Sequence, residues 1–184
     1  LNTIEETTIR EVDFHMGANF VIDLEESEKH NKVGKTTFLK LIDVALGAKD
    51  RDFIYRDPET NSIVPQLERF LTSNKVAIEM NVCDNLESPK ISHLLYVELL
   101  KKGKYRIDGE IINQSAYREN LNEIFFKNGR KAPSFRQLIN SFVRISMSGD
   151  NNTFLRNIPH ASKSIYRGVY NYLFSISDPA IDIE

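Results

Sequence analysis

The chain has 184 residues, 41% hydrophobic and 27% charged, with a net charge of −2. That is the composition of one ordinary globular domain able to bury its own core. It demands no nucleic-acid or membrane partner, although a local basic patch can hide inside a near-neutral total. Cys83 is the sole cysteine, which excludes an intrachain disulfide and suits a reducing cytoplasm. No apolar run approaches the ~20 residues of a membrane span. The chain opens on Leu1 rather than Met and stops at Glu184, so a fragment of a longer protein is expected.

Residues 9–14 alternate apolar and polar, the pattern of a half-buried strand. Met16-Gly17-Ala18-Asn19 supplies a turn, and 20–24 reads as a second, more buried strand. Glu25-Glu26-Ser27-Glu28 is a short solvated acidic loop. Next comes Lys29-His30-Asn31-Lys32-Val33-Gly34-Lys35-Thr36-Thr37. Its end fits the phosphate-binding pattern G-x-x-x-x-G-K-[ST], but Lys29 stands where that pattern opens on glycine. A helix is expected over 36–46, with Phe38, Leu41, Ile42 and Ala45 on one face. Leu39 and Leu46 widen that face until the helix is apolar nearly all round and buried on more than one side. Gly47 stops it.

Residues 49–65 are polar, contain Asp57-Pro58-Glu59 and read as loop, with a short helix over 64–71. Val76, Ile78, Met80 and Val82 alternate with Ala77, Glu79 and Asn81, a strand signal. A turn at 85–89, a strand over 93–100 and a turn at Lys101-Lys102-Gly103-Lys104 follow. Asp108-Gly109, between Ile107 and Ile111, is a strong hairpin signal. Residues 76–113 therefore predict an antiparallel meander, not a βαβ unit. From Ser115, a plausible N-cap, the period becomes helical, with Tyr117, Leu121, Ile124 and Phe125 aligned. Asn128-Gly129-Arg130 ends that helix. Pro133-Ser134 opens another, with Phe135, Leu138, Ile139, Phe142 and Val143 on one face. A loop at 146–152 precedes a last helix over 162–174, with Ile165, Val169, Tyr172 and Leu173 aligned.

Strand, loop and helix are the setting in which such a loop binds phosphate. Its backbone N–H groups turn inward onto phosphate oxygens, and the helix adds its positive end. Lys35 would reach the β- and γ-phosphates, the Thr36 hydroxyl would hold Mg²⁺, Thr37 would bond nearer the α-phosphate, and Gly34 allows close backbone approach. The plainer alternative is a chance Gly-Lys-Thr in a turn before a helix. Hydrolysis also needs a carboxylate for Mg²⁺ and a residue to orient water. Leu94-Leu95-Tyr96-Val97-Glu98 lacks the paired acid and reads as a plain strand. Ser146-Met147-Ser148-Gly149 lacks the second glycine of the ABC signature. No catalytic residue is assigned. His15, His30, His93 and His160 show no ligand spacing, so no zinc-type site is expected. Arg130, Lys131, Arg136 and Arg144 read as solvated helix faces rather than a nucleic-acid track.

Four segments resemble the N-terminal nucleotide-binding lobe of SMC/RecN-like coiled-coil ABC ATPases. Val12-Asp13-Phe14 through Gly17-Ala18-Asn19-Phe20-Val21-Ile22 is similar to that family's opening hairpin. Asn31-Lys32-Val33-Gly34-Lys35-Thr36-Thr37 is similar to its N-x-x-G-K-[ST]-[ST] loop. Leu41-Ile42-Asp43-Val44-Ala45-Leu46-Gly47 resembles the end of its first helix, and Tyr105-Arg106-Ile107-Asp108-Gly109-Glu110-Ile111-Ile112 its later hairpin. The first two are the specific ones.

The resemblance implies an α/β P-loop NTPase fold: an ABC/SMC-head N-terminal lobe over 1–175 with an antiparallel β side sheet, and a helical arm beginning at 176–184. It implies ATP and Mg²⁺ as cofactors, with Asn31, Lys32, Val33, Gly34, Lys35, Thr36 and Thr37 binding ATP and Thr36 holding the metal. The implied partners are the C-terminal ATPase lobe of the same protein, a second head across sandwiched ATP in a homodimer, DNA and accessory subunits, with no membrane. Location would be cytoplasmic and the setting bacterial defence or DNA maintenance. Walker B and signature belong to the C-terminal lobe, so ATP hydrolysis would be an activity of the full-length protein. Lys29 departs from the family, as does the lack of a glutamine over 144–150; Gln114 and Gln137 lie elsewhere. Two other classes stand beside this one: a self-contained P-loop kinase or GTPase, which requires parallel strands, and a degenerate P-loop kept as a scaffold.

Overall fold

The computed structural model describes residues 7–22, 34–49, 51–57, 60–143, 158 and 161–176. Their architecture is mixed α/β. The elements run α1 (Lys35–Ala45), a 3₁₀ turn (Asp52–Tyr55), α2 (Pro65–Ser73), β1 (Ala77–Cys83), β2 (Ser92–Glu98), β3 (Tyr105–Ile107) and β4 (Glu110–Ile112). They continue with α3 (Gln114–Phe126), α4 (Phe135–Ile139) and α5 (Lys163–Leu173). No helix among the described residues is long and apolar enough to cross a membrane.

The four strands form one antiparallel sheet in the order β1-β2-β3-β4, the meander the alternation predicts. Each turn has a local cause. Asp108 and Gly109 take φ of 52° and 84°, the two positive values that a two-residue type I′ hairpin needs. In the β1–β2 loop the Asp84 carboxylate accepts from the Lys90 and Ile91 amides at 3.0 and 3.1 Å, and Asn85 accepts from the Glu87 amide at 2.8 Å. At the β2–β3 turn the Glu98 carboxylate accepts from the Lys104 amide at 2.9 Å. Buried Arg51 closes that turn from below. It donates to the Glu98 and Leu100 carbonyls at 2.5 and 3.1 Å, and its guanidinium lies 4.1 Å from the Tyr105 ring centre.

The pairing Met80↔Leu95↔Ile107 and Ile78↔Val97↔Tyr105↔Ile112 puts these residues on one face of the sheet. α1 and α3 pack against that face, and Val44, Leu95, Val97, Tyr117 and Leu121 are wholly buried between them. Burying a large apolar side chain is worth about 1.5–3 kcal/mol, so this layer is the main source of stability. A second, smaller core gathers Leu138, Ile158 and Val169. α4 belongs to both, since its neighbouring Phe135 and Ile139 lie in the first.

Several local expectations are corrected. Residues 9–14 and 20–22 carry no strand. Alternation marks a face that wants burial, but a ladder also needs a neighbour, and these side chains stay largely in solvent, Phe20 at 81% and Ile22 at 77% exposed. The turn between them is present. Asn19 accepts from the His15 amide and donates back to its carbonyl, at 3.0 and 2.8 Å, and Gly17 takes φ 88°. α1 is not buried all round: Thr36, Thr37 and Leu39 are exposed, and burial is complete only from Val44 onward. The N-cap of α3 is Asn113, whose side chain accepts from the Ala116 amide at 3.0 Å, not Ser115. α4 is a short helix, followed over 140–142 by turns, and Gln137 closes its start by accepting from the Ser134 amide at 2.8 Å. The stretch 49–65 holds a 3₁₀ turn and an Arg56↔Ile63 bridge rather than plain loop. The expected loop at 146–152, His160 and the 176–184 arm apart from Ile176 lie outside the described residues.

Candidate functional site

The candidate loop enters the description at Gly34; Lys29, His30, Asn31, Lys32 and Val33 lie outside the described residues. Gly34 is the N-cap of α1, with φ 77° and ψ 13° in the left-handed region. Among the described residues a Cβ there would meet nothing within 4 Å. Glycine is therefore suited by backbone conformation rather than by space, since L-residues are disfavoured in this region by about 1–2 kcal/mol. Its carbonyl accepts from the Phe38 amide at 2.8 Å, the first bond of the helix. Lys35 is the first helical residue, and Thr36 and Thr37 follow on the exposed first turn.

The first amides of a helix have no partner within it, and this end receives no side-chain cap from Gly34 and has no acidic residue in its first turn. A helix N-terminus whose first turn carries no acid favours an anion. Thr36 adds an exposed hydroxyl with lone pairs for a cation or a proton to donate to phosphate. Among the described residues no group of three His, Cys, Asp or Glu side chains is placed to hold a metal ion.

The other end of α1 is anchored by Tyr117, expected on an apolar helix face, by Arg136, expected on a solvated one, and by Arg118. The Tyr117 hydroxyl donates to the Ala45 carbonyl at 2.6 Å, Arg118 Nε to the Gly47 carbonyl at 2.8 Å, and Arg136 Nη1 to the Leu46 carbonyl at 3.2 Å. Arg136 also pairs with Asp43 at 2.7 Å. Arg136 is thus not part of a solvated face. α1 carries no basic residue in its own last turn, so two arginines from other helices supply the cations that a helix C-terminus favours. Asp43, an acidic residue near the C-terminal end of α1, was the available sequence signal; it called for a basic partner without saying which.

Beside α1 lies a cavity of about 270 Å³ walled by Val12, Phe14 and Phe20 on one side and Phe38, Leu39 and Ile42 on the other. The Phe14 and Phe38 rings stack with centroids 6.3 Å apart. Residues 12–21 and α1 are therefore neighbours. A cavity of about 280 Å³ elsewhere is lined by β2–β4 and α3 residues, including His93, Asp108, Glu110 and Glu123. There His93 Nδ1 and the Asp108 carboxylate are 2.8 Å apart, and Asp108 also accepts from the Leu94 amide at 2.8 Å. These bonds, the one to His93 first, hold the Asp108 carboxyl below its ordinary range. Glu98, at the end of β2, is buried and accepts from the Lys104 amide in its turn.

Comparisons of the chain with protein-family models, with curated proteins and with solved structures found no match. The functional reading therefore rests on the motif and on the geometry around α1.

Proposed function

We propose that the chain binds ATP with Mg²⁺ at the N-terminus of α1, as the N-terminal lobe of an SMC-like ATPase head. The observation that carries this is the left-handed Gly34 at the exposed start of α1, with Lys35 and Thr36 next in line. A phosphate loop needs a backbone that turns sharply into a helix and a firmly held helix body. Gly34 supports the first and the side chains that grip residues 43–47 the second, whereas the strand expected ahead of the loop is not formed over 20–22. In this reading the loop amides and Lys35 bind the phosphates, Thr36 holds Mg²⁺ and Thr37 completes the cradle. Asn31, Lys32 and Val33 supply the loop before Gly34. Bound Mg²⁺ would neutralise charge on the β- and γ-phosphates.

Two further features bear on the class. A self-contained kinase or GTPase needs parallel strands after the loop helix, whereas α1 is followed by an antiparallel meander. Residues 9–22 also leave Ile9, Phe14, Met16, Phe20 and Ile22 exposed beside α1. An apolar stretch of that kind marks a surface to be covered, which suits a C-terminal lobe of the same protein docking there. A second head, DNA and accessory subunits are the further partners of this reading, which places the protein in bacterial defence or DNA maintenance. ATP turnover would then await acids from that lobe.

Equilibrium binding of a fluorescent ATP analogue tests the site. The wild type should bind with Mg²⁺ and be displaced by unlabelled ATP. Lys35→Ala should lose most of the affinity, and Thr36→Ala should lose its dependence on Mg²⁺. Binding indifferent to both substitutions would remove the site from this loop.

A further inference from the structure

The sheet has two unequal edges. β4, at one side, is short and runs straight into α3. β1, at the other, has 7 residues. Its pairing with β2 fixes which backbone groups face out. The Leu99 amide donates to the Val76 carbonyl at 2.8 Å, and the Asp84 amide to the Ile91 carbonyl at 3.1 Å. In an antiparallel pair, residues that exchange such bonds alternate with residues that turn theirs away. The even-numbered residues of β1 therefore bond to β2, and Ala77, Glu79, Asn81 and Cys83 present their N–H and C=O groups outward. Among the described residues none of these outward groups has a hydrogen-bond partner.

Natural sheets guard such an edge with prolines, bulges or several charges. β1 has no proline, its register on β2 is one-to-one from Ala77↔Glu98 to Cys83↔Ser92, and Glu79 is its sole charge. Glu79 and Asn81 are exposed. Ile78, Met80 and Val82, on the core face, are only partly covered.

β1 is also complementary to itself. Read outward from Met80, Asn81 answers Glu79, Val82 answers Ile78 and Cys83 answers Ala77. A twofold axis at Met80 sets two such strands antiparallel with these residues opposite one another. Every outward residue then meets an outward residue, Ala77 with Cys83 and Glu79 with Asn81. Ile78 meets Val82 and Met80 meets its own copy, so the apolar row continues across the axis. Asn81 Oδ1 already accepts from Ser92 Oγ at 2.6 Å, which leaves its Nδ2 to donate to the partner's Glu79. The neighbouring registers fit less well. An axis at Glu79 opposes two carboxylates, which is destabilising, and an axis at Asn81 leaves Ala77 unpaired.

We infer that this edge is a homodimer interface: two copies join through β1 into one continuous antiparallel sheet. The contact is isologous and closes on itself, so it stops at two copies. It uses no residue of the loop ahead of α1 and needs no nucleotide, which sets it apart from pairing across sandwiched ATP.

Sedimentation equilibrium of the full chain without nucleotide tests this, and keeps any ATP-bridged pair out of the readout. The wild type should show a monomer–dimer equilibrium. Asn81→Pro removes only an outward N–H, a position where an edge strand tolerates proline, and should be monomeric. Asn81→Glu sets an acid against Glu79 at both symmetric contacts and should weaken the dimer at least about fivefold. Asn81→Lys sets a cation there and should tighten it. These two change an exposed side chain and carry the test if Asn81→Pro fails to fold. In a Cys83→Ser background, Met80→Cys should give a disulfide-linked dimer on mild oxidation. Directly opposed residues that do not exchange bonds have Cα atoms about 4.5 Å apart, within disulfide reach. A wild type that stays monomeric at every concentration would overturn the inference. So would a dimer that Asn81→Glu and Asn81→Lys leave equally strong.

Discussion

The hydroxyl of Tyr117 in α3 donates to the carbonyl of Ala45 in the last turn of α1, 2.6 Å away and shut off from solvent. Burial also pushes the phenol well above its ordinary pKa, so it remains a donor throughout the usual pH range. Tyr117→Phe keeps the ring, which lies 4.8 Å from that of Tyr105, and strands the carbonyl. Leaving a buried acceptor unpaired costs about 1–3 kcal/mol. Denaturant unfolding should show a loss in that range with an unchanged slope. Stability equal to wild type would mean that α1 is not held by this bond.

Gly103 has no room for a side chain. A Cβ would come 2.5 Å from the Glu98 carbonyl oxygen and 2.6 Å from Arg51 Nη1. The first obstacle is backbone and the second is a buried cation already engaged in the same turn, so neither yields cheaply. Gly103→Ala should destabilise the chain by about 1–3 kcal/mol, the usual cost of overpacking. Gly34→Ala offers the contrast. None of the described residues obstructs its Cβ, and the cost should be the ~1–2 kcal/mol of a left-handed L-residue, measured by the same unfolding experiment.

The outline of the fold was legible because its signals are local. Alternation gave β1, Asp108-Gly109 gave the β3–β4 turn, and helical spacing gave α1, α3 and α5. What escaped was long-range. The strand pattern of residues 9–14 found no ladder, because pairing depends on a neighbour that alternation cannot name. Arg136 looked like one of several surface bases until α4 brought it to Asp43, 93 residues away in sequence. Arg51 likewise gives no sign of burial in a polar stretch; its place beneath the β2–β3 turn follows from the ring of Tyr105 and two carbonyls. At the candidate site the glycine and its helix were readable from the motif, whereas the clamp on the far end of that helix was not.

The Asp108 carboxyl lies below its usual range because it accepts from His93 and from the Leu94 amide. A lowered folded-state pKa means that the stabilisation is present above the unfolded pKa and lost as pH falls through the folded one. Asp108→Asn keeps an acceptor and suits the left-handed φ of 52°, so it removes the charge with little backbone cost. At pH 6 or so the variant should be less stable than wild type, and the gap should close as pH falls below about 4, the ordinary carboxylate range. Parallel stability curves down to pH 2.5 or so would show that the charge contributes nothing.

The central claim is that ATP–Mg²⁺ occupies the loop ahead of α1. Its most direct measurement is denaturant unfolding of the wild type and of Lys35→Ala, each titrated with ATP–Mg²⁺. A ligand that binds the folded chain alone, at 100 times its dissociation constant, adds about 2.7 kcal/mol of stability. The account predicts a gain that grows with ATP in the wild type and is nearly absent in Lys35→Ala. No gain in the wild type, or the same gain in both proteins, would contradict it.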